Sequence, residues 1–302
     1  MTARIVASAS YVPERVLTNE DLEKLVDTSD EWITTRTGIR ERRIAAEDEH
    51  ASDMGVAAAE RLLKESGTSA EEIDLVLVAT MTPDYLFPST AALIQDRIGA
   101  SRAAAFDFQA ACSGYLYGLS IAKAYVESGM YKSVLFIATE KLSAFVDYED
   151  RNTCVIFGDG ASAALIRNEG VGLALSSVVL GADGAQSDLL MVPAGGSRNP
   201  ASATTVAQRQ HFLNMNGKET FKHAVRRMSE AIKTCMHENE LEGSDISWLV
   251  PHQANERIID SLAKKLSLPK EQVYKTIHKY GNTSASSVGI ALDELMREKD
   301  IH

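Results

Sequence analysis

The sequence predicts an α/β fold made of two similar halves, and three observations carry that prediction. Helical and strand periodicities alternate along the chain, the order of elements in the second half repeats that of the first, and one central helix is apolar on nearly every side.

In the first half, Ser52 to Gly67 reads as an amphipathic helix with a glycine stop, and Ile73 to Thr80 as a buried strand. Pro88-Ser89-Thr90 opens a helix that runs to Gly99, a strand follows at 103–108, and the next helix ends at Gly129. That last helix has Lys123 and Glu127 as its only charges, so it belongs between two sheets rather than on a surface. Ser133 to Thr139 and residues 161–167 complete the strands.

The second half opens on an apolar stripe at helical spacing, Phe221, Ala224, Val225, Met228, Ala231, Ile232 and Cys235. Ile246 to Val250 then reads as a strand, Glu256 to Leu266 as a helix and Val273 to Ile277 as a strand, and a turn at Gly281-Asn282-Thr283-Ser284 opens the final helix. Cys112 lies 39 residues beyond Ile73, and Asn282 lies 36 beyond Ile246. The two therefore fall at corresponding helix starts, facing each other across a pseudo-two-fold axis. This divides the chain into residues 1–170 and 171–302. Nothing after the final helix matches strands 133–139 and 161–167, so about two C-terminal strands are expected to be missing.

Composition narrows the function. A chain of 302 residues with 45% hydrophobic and 24% charged residues can bury a substantial core. Its net charge of −11 argues against nucleic-acid binding and favours small-molecule or protein partners. The three cysteines, Cys112, Cys154 and Cys235, show neither CxxC nor zinc-ligand spacing, which fits a reducing cytoplasm. Met1 to Ala7 leads straight into a strand, and no apolar run reaches the ~18 residues of a membrane span.

Cys112 is the most informative residue. It sits in Gln109-Ala110-Ala111-Cys112-Ser113-Gly114-Tyr115, where small residues suggest a tight strand-to-helix turn. Unpaired N–H groups at a helix N-terminus favour a thiolate, so the thiol is expected to drop from roughly 8.5 toward neutrality and act as a nucleophile. Cys154 and Cys235 read as buried packing residues. His252, in Pro251-His252-Gln253-Ala254-Asn255, follows a strand and is the leading candidate for a catalytic histidine, with His278 its nearest rival. By itself Asn282 reads as a turn or N-cap residue. Gly158-Asp159-Gly160-Ala161-Ser162-Ala163 matches a dinucleotide pattern, but a strand follows where that motif needs a helix, which excludes nicotinamide binding.

Together, Ala111-Cys112-Ser113-Gly114, Pro251-His252-Gln253-Ala254-Asn255 and Gly281-Asn282-Thr283-Ser284-Ala285-Ser286 resemble the catalytic motifs of β-ketoacyl-acyl carrier protein synthase III, a thiolase-fold condensing enzyme. The segments 30–39, Phe87-Pro88-Ser89 and Phe157-Gly158-Asp159-Gly160-Ala161 extend the resemblance from Ile5 to about residue 300. It implies a five-layer αβαβα fold. It also implies a decarboxylative Claisen condensation, in which a Cys112 acyl-enzyme formed from acetyl-coenzyme A or another short acyl-coenzyme A is attacked by the carbanion of malonyl-acyl carrier protein. His252 and Asn282 would hold the enolate oxygen. No metal or organic cofactor is implied, because coenzyme A enters as a substrate thioester.

Further roles follow from the same resemblance. Trp32 and Arg151 would bracket the adenine of coenzyme A, Thr28 and Arg36 would help hold the nucleotide, and Gly217, Phe221, Ala254 and Asn255 would line the pantetheine tunnel. Trp32 and Arg36 share a face of a helix capped by Ser29 or Asp30 and stopped at Gly38, although a half-buried core anchor is the other reading of Trp32. Phe87 would cross a homodimer interface to floor the partner's acyl pocket. Lys222, Arg257, Lys264 and Lys265 would dock the acidic carrier protein, or form an ordinary solvated face. The polar loop 193–209 is expected to be a mobile cover. The family's glycine-rich C-terminal strand-turn, which completes an oxyanion hole, has no counterpart in this sequence. The other readings are a synthase III-like enzyme of secondary metabolism with a small-molecule acceptor, and a non-catalytic partner subunit.

Overall fold

Ten strands and eleven α-helices occur among the described residues, 2–299 and 301, of this computed structural model. The expected outer limits of the two halves, Met1 and His302, lie outside the described residues. In chain order the elements are β1 (Arg4–Tyr11), β2 (Val16–Thr18), α1 (Asn19–Leu22), α2 (Asp30–Thr37), β3 (Glu41–Arg43), α3 (Ala51–Ser66), β4 (Leu75–Ala79), α4 (Thr90–Arg97), β5 (Ala104–Phe108), α5 (Gly114–Glu127) and β6 (Ser133–Glu140). There follow α6 (Arg151–Cys154), β7 (Gly160–Arg167), β8 (Leu173–Ala174), β9 (Leu190–Met191), α7 (Ala203–Ala207), β10 (Asn214–Met215), α8 (Gly217–Glu238), α9 (Glu256–Lys265), α10 (Ile277–Tyr280) and α11 (Ser286–Lys299).

The sheet order is β5-β4-β6-β7-β1-β8. Residues of β4 pair in parallel with β5 and β6, Leu75 opposite Ala104 and Val134, while β7 runs antiparallel to both β6 and β1. All five residues of β4 and all eight of β6 are buried, as unbroken apolar runs in parallel neighbours require. One face packs against α3 and α4 through Met54, Leu62, Ile94 and Ile137. The other packs against α5 and α11 through Tyr115, Leu119, Phe136 and Ala285. Gly118 is required there, since a Cβ would stand 2.1 Å from the Phe136 ring. The predicted α/β class and every predicted strand of the first half are therefore present.

The second half departs from expectation. Ile246 to Val250 and Val273 to Ile277 do not form strands; Leu249 and Val273 make one isolated parallel bridge, and residues 277–280 turn into α10. Strands are stabilised by neighbours on both edges, and here, among the described residues, Leu249 has a neighbour on one edge only. Two consequences follow. The outward face of α5 is left partly open, with Leu116 45% exposed. The apolar stripe of α8, including Cys235, is half-buried rather than buried; Cys154 is buried as predicted.

The loop 193–209, expected to be a mobile cover, is tied to the residues around it. It is held by hydrogen bonds from Ala194 to Gln210, from Gly195 to Asn199 and from Thr205 to His211, and by an Arg209–Asp147 ion pair.

Candidate active site

Between the halves lies a cavity of about 1520 Å³ lined by Cys112, His252 and Asn282 together. Its volume exceeds that of most small-ligand pockets, which suits a long substrate arm. Each of the three residues is placed by local backbone chemistry.

Cys112 lies in a 3-10 turn, Ala111–Ser113, between β5 and α5. Ala111 has φ +46, a left-handed conformation unfavourable for a residue with a Cβ, so the turn is strained at the residue before the nucleophile. Gly114 admits close approach of Ala285, whose Cβ would lie 2.9 Å from an added Cβ. The sequence expectation of a lowered thiol is overturned. Desolvation pushes the Cys112 thiol up, and the Ser284 hydroxyl, donating to Sγ over 3.8 Å, and the cysteine's own N–H only partly offset it. No cation is paired with the sulfur among the described residues.

His252 follows the Leu249 bridge. The buried Gln253 anchors its turn, donating to the carbonyls of Pro251 and Tyr274 and accepting from the N–H groups of Thr276 and Ile277. His252 Nδ1 stands 2.6 Å from Ser287 Oγ, while Nε2 is buried with no partner. Burial pushes the imidazole down to about 4, so it is neutral near pH 7. The rival His278 belongs to α10 and does not line the cavity.

Asn282 is clamped to the first half as a one-residue strand. Its N–H donates to the Ile156 carbonyl over 2.9 Å, and its own carbonyl accepts from Gly158 N–H over 3.1 Å. Gly281, at φ +63, allows this approach, because a Cβ there would meet the Ile156 oxygen at 2.8 Å. Asn282 Oδ1 is taken up by the Ser284 N–H, which leaves the carboxamide Nδ2 as the free donor end. Arg42, fully buried, holds the same strand from behind by donating to the Val155 carbonyl.

The remaining expected residues are placed unevenly. Trp32, Arg36, Gly217, Phe221, Lys222, Ala254, Asn255 and Arg257 line the cavity. Arg151 does not, but its guanidinium lies 4.2 Å from the centre of the Trp32 ring, with Arg36 at 5.2 Å. Thr28 lies outside the lining, with a buried hydroxyl lacking a partner. Asn255 caps α9 and donates to the Arg36 carbonyl, tying the two halves at the cavity mouth. Arg257 stacks over Phe221 at 5.6 Å. Lys222 is paired with Glu219, and Lys264 and Lys265 lie away from the cavity, with Lys265 donating to Ser229. Phe87 is 86% exposed and does not belong to its own chain's cavity lining. Sequence reasoning missed Ser287, Ser284 and Glu140; Ser284 was absorbed into a turn motif and Ser287 lies one residue beyond it. A glutamate closing an otherwise uncharged buried strand was the one available signal for the third.

A thiol, a neutral imidazole and a carboxamide around one cavity define a condensing acyltransferase of the thiolase-like class. Comparisons narrow the class. Models of 3-oxoacyl-[acyl-carrier-protein] synthase III match residues 106–184, and of its C-terminal portion residues 236–302. A β-ketoacyl-[acyl-carrier-protein] synthase III of Chlamydia trachomatis is 60% identical over 303 aligned residues, covering 100% of this chain and 93% of that protein. The 3-oxoacyl-[acyl-carrier-protein] synthase III structure from Aquifex aeolicus superposes with a TM-score of 0.91 at 45% identity, covering 99% of this chain and 92% of that one. A priming β-ketosynthase from the R1128 polyketide pathway superposes with the same TM-score at 38% identity, over 99% and 89%. The chain belongs to the β-ketoacyl-acyl carrier protein synthase III family.

Proposed function

We propose that this chain condenses a short acyl-coenzyme A, acetyl-coenzyme A foremost, with malonyl-acyl carrier protein, the step that opens type II fatty acid biosynthesis. The orphaned, buried Nε2 of His252 beside the cavity of Cys112 and Asn282 carries the reading. A buried nitrogen without a partner costs roughly 1–3 kcal/mol, a cost that a substrate oxygen would relieve.

The Cys112 sulfur attacks the thioester carbonyl of the acyl-coenzyme A, a new C–S bond forms and coenzyme A departs. Malonyl-acyl carrier protein then loses carbon dioxide, and negative charge builds on its thioester oxygen. Ser287 donates to Nδ1, so the neutral imidazole carries its proton on Nε2. That N–H and an Asn282 Nδ2–H donate to the enolate oxygen. The enolate carbon attacks the acyl-enzyme and expels the sulfur. None of these steps calls for a metal or organic cofactor.

Trp32, Arg36 and Arg151 hold the nucleotide end of coenzyme A, with Thr28 beside them, while Gly217, Phe221, Ala254 and Asn255 line its path inward. Lys222, Arg257, Lys264 and Lys265 receive the carrier protein. Phe87 lies in an exposed apolar run, Tyr85-Leu86-Phe87, that suits a homodimer in which it floors the partner's acyl pocket. The boundary between the half bearing the nucleophile and the half bearing its two donors is at residues 170 and 171, and the protein works in the cytoplasm.

Acetyl-coenzyme A should leave an acetyl group on Cys112, detectable by peptide mass spectrometry. His252→Ala and Asn282→Ala should keep that acetylation and lose condensation. Product formed at the parent rate by Cys112→Ser would end the reading. The likeness to a priming β-ketosynthase of a polyketide pathway supports a role in secondary metabolism as the second reading, and malonyl-acyl carrier protein assayed beside small-molecule acceptors tests whether the acceptor differs.

A further inference from the structure

Arg42, the middle residue of β3, is a fully buried cation, and among the described residues none of its hydrogen-bond acceptors is a carboxylate. Its Nη1 donates to the Leu17 carbonyl over 3.1 Å and to Asn19 Oδ1 over 2.9 Å, its Nη2 donates to the Val155 carbonyl over 2.7 Å, and Nε is buried without a partner. Burial pushes the guanidinium down to about 10, which leaves it charged near neutral pH. Holding a charge against neutral oxygens alone is costly, and an apolar side chain would fill the space without that cost. Only a planar fork of donors joins three segments at once.

The joined segments meet at the mount of Asn282. Val155 caps α6, so its carbonyl lies at a helix end, where intrahelical donors run out. The next carbonyl, that of Ile156, accepts from the Asn282 N–H, and the Gly158 N–H returns to the Asn282 carbonyl. Arg42 Cβ lies 3.0 Å from where a Cβ on Gly158 would stand and 3.3 Å from where one on Gly281 would, so its stem packs against the glycines flanking the Phe157–Asn282 bridge. On its other side, the buried Asn19 donates to Asp30 Oδ1 at the start of α2 over 2.7 Å and to the Ile39 carbonyl beyond its end over 2.8 Å. The helix that carries Trp32 and Arg36 is thus tied to the same anchor.

We propose that Arg42 is a positioning residue, which fixes the Asn282 carboxamide for the condensation step by pinning residues 155–158. It does not line the cavity, and Cys112 is mounted separately, between β5 and α5. Loss of the anchor therefore falls on the enolate donor and spares acyl transfer to the sulfur.

This inference rests on the proposed role of Asn282, so Asn282→Ala is measured alongside. Arg42→Met keeps the stem alone, and Arg42→Lys keeps stem and charge but reaches fewer acceptors. In single turnover, condensation with malonyl-acyl carrier protein should slow about a hundredfold in Arg42→Met and about tenfold in Arg42→Lys, with acetylation of Cys112 within about twofold of the parent. In the Asn282→Ala background Arg42→Met should slow condensation no further, because it acts through the missing carboxamide. The Asn282 and Gly158 amides should exchange with solvent deuterium at least about tenfold faster in both variants, and those of β4 and β6 at the parent rate. Equal losses in both half-reactions, or a further loss on top of Asn282→Ala, would make Arg42 merely structural and overturn the proposal. Parent-rate condensation in the Arg42 variants beside a slow Asn282→Ala overturns this inference alone, whereas parent-rate condensation in Asn282→Ala brings down the role of Asn282 and this inference with it. If Arg42→Met does not fold, Arg42→Lys decides.

Discussion

Ser287 Oγ stands 2.6 Å from Nδ1 of His252, on the side of the ring opposite the unpartnered Nε2. The Gln253 N–H donates to the same oxygen over 3.3 Å, so the serine hydrogen is free to point at the imidazole. Fixing one nitrogen as acceptor makes the other a donor.

Ser287→Ala should therefore slow condensation by about ten- to a hundredfold while acetylation of Cys112 is nearly unchanged, because only the enolate step needs the Nε2 proton. Single-turnover measurement of each half-reaction checks this. Equal losses in both would contradict it.

The buried imidazole also sets a pH dependence. His252 titrates near 4 in the folded chain against ~6.5 unfolded, so its neutral form contributes fully above the unfolded value. As pH falls from about 6.5 toward 4 the unfolded chain takes a proton that the folded chain refuses, and stability is lost by roughly 2–3 kcal/mol. The stability difference between parent and His252→Ala should shrink over that window, measured by denaturant unfolding.

Glu140 gives the opposite sign. Its folded value near 8 lies above the ordinary ~4.3, so its contribution is complete below that ordinary value and declines as pH rises toward 8. Glu140→Gln should flatten the loss of stability between pH 5 and pH 8. A parallel decline in parent and variant would show that the carboxyl is not held neutral.

Arg151 and Arg36 both lie over the Trp32 ring, at 4.2 Å and 5.2 Å from its centre. Trp32→Ala should raise KM for acetyl-coenzyme A by roughly tenfold and change kcat little, since base–aromatic stacking is worth about 1–3 kcal/mol and lies far from the reacting carbon. Steady-state kinetics separate the two constants.

The first half was legible because its signals are local. The β4 and β6 segments are continuous apolar runs, α3 ends at a glycine with φ +66, and Cys112 follows a strand and precedes a helix. Residues 246–250 and 273–277 have the same apolar character, yet a strand is a property of its neighbours, and sequence alone does not report whether a neighbour is present. The three cavity residues were legible as motifs, whereas their supports were not. Ser287 and Ser284 lie in a run of small residues, and their roles appear only when α11 and the turn before it bring them against His252 and Cys112. The thiol was misjudged for a related reason, since a helix start is visible in a sequence and the desolvation opposing it is not.

The pairing of Asn282 with residues 156–158 has a mechanical consequence. Its carboxamide belongs by chain order to one half and by backbone hydrogen bonding to the other, so a hinge that swung the halves apart would tear the donor from its mount before any substrate entered. Trp32 and Phe221 line the same cavity, so an approach along its wall leaves that pairing in place.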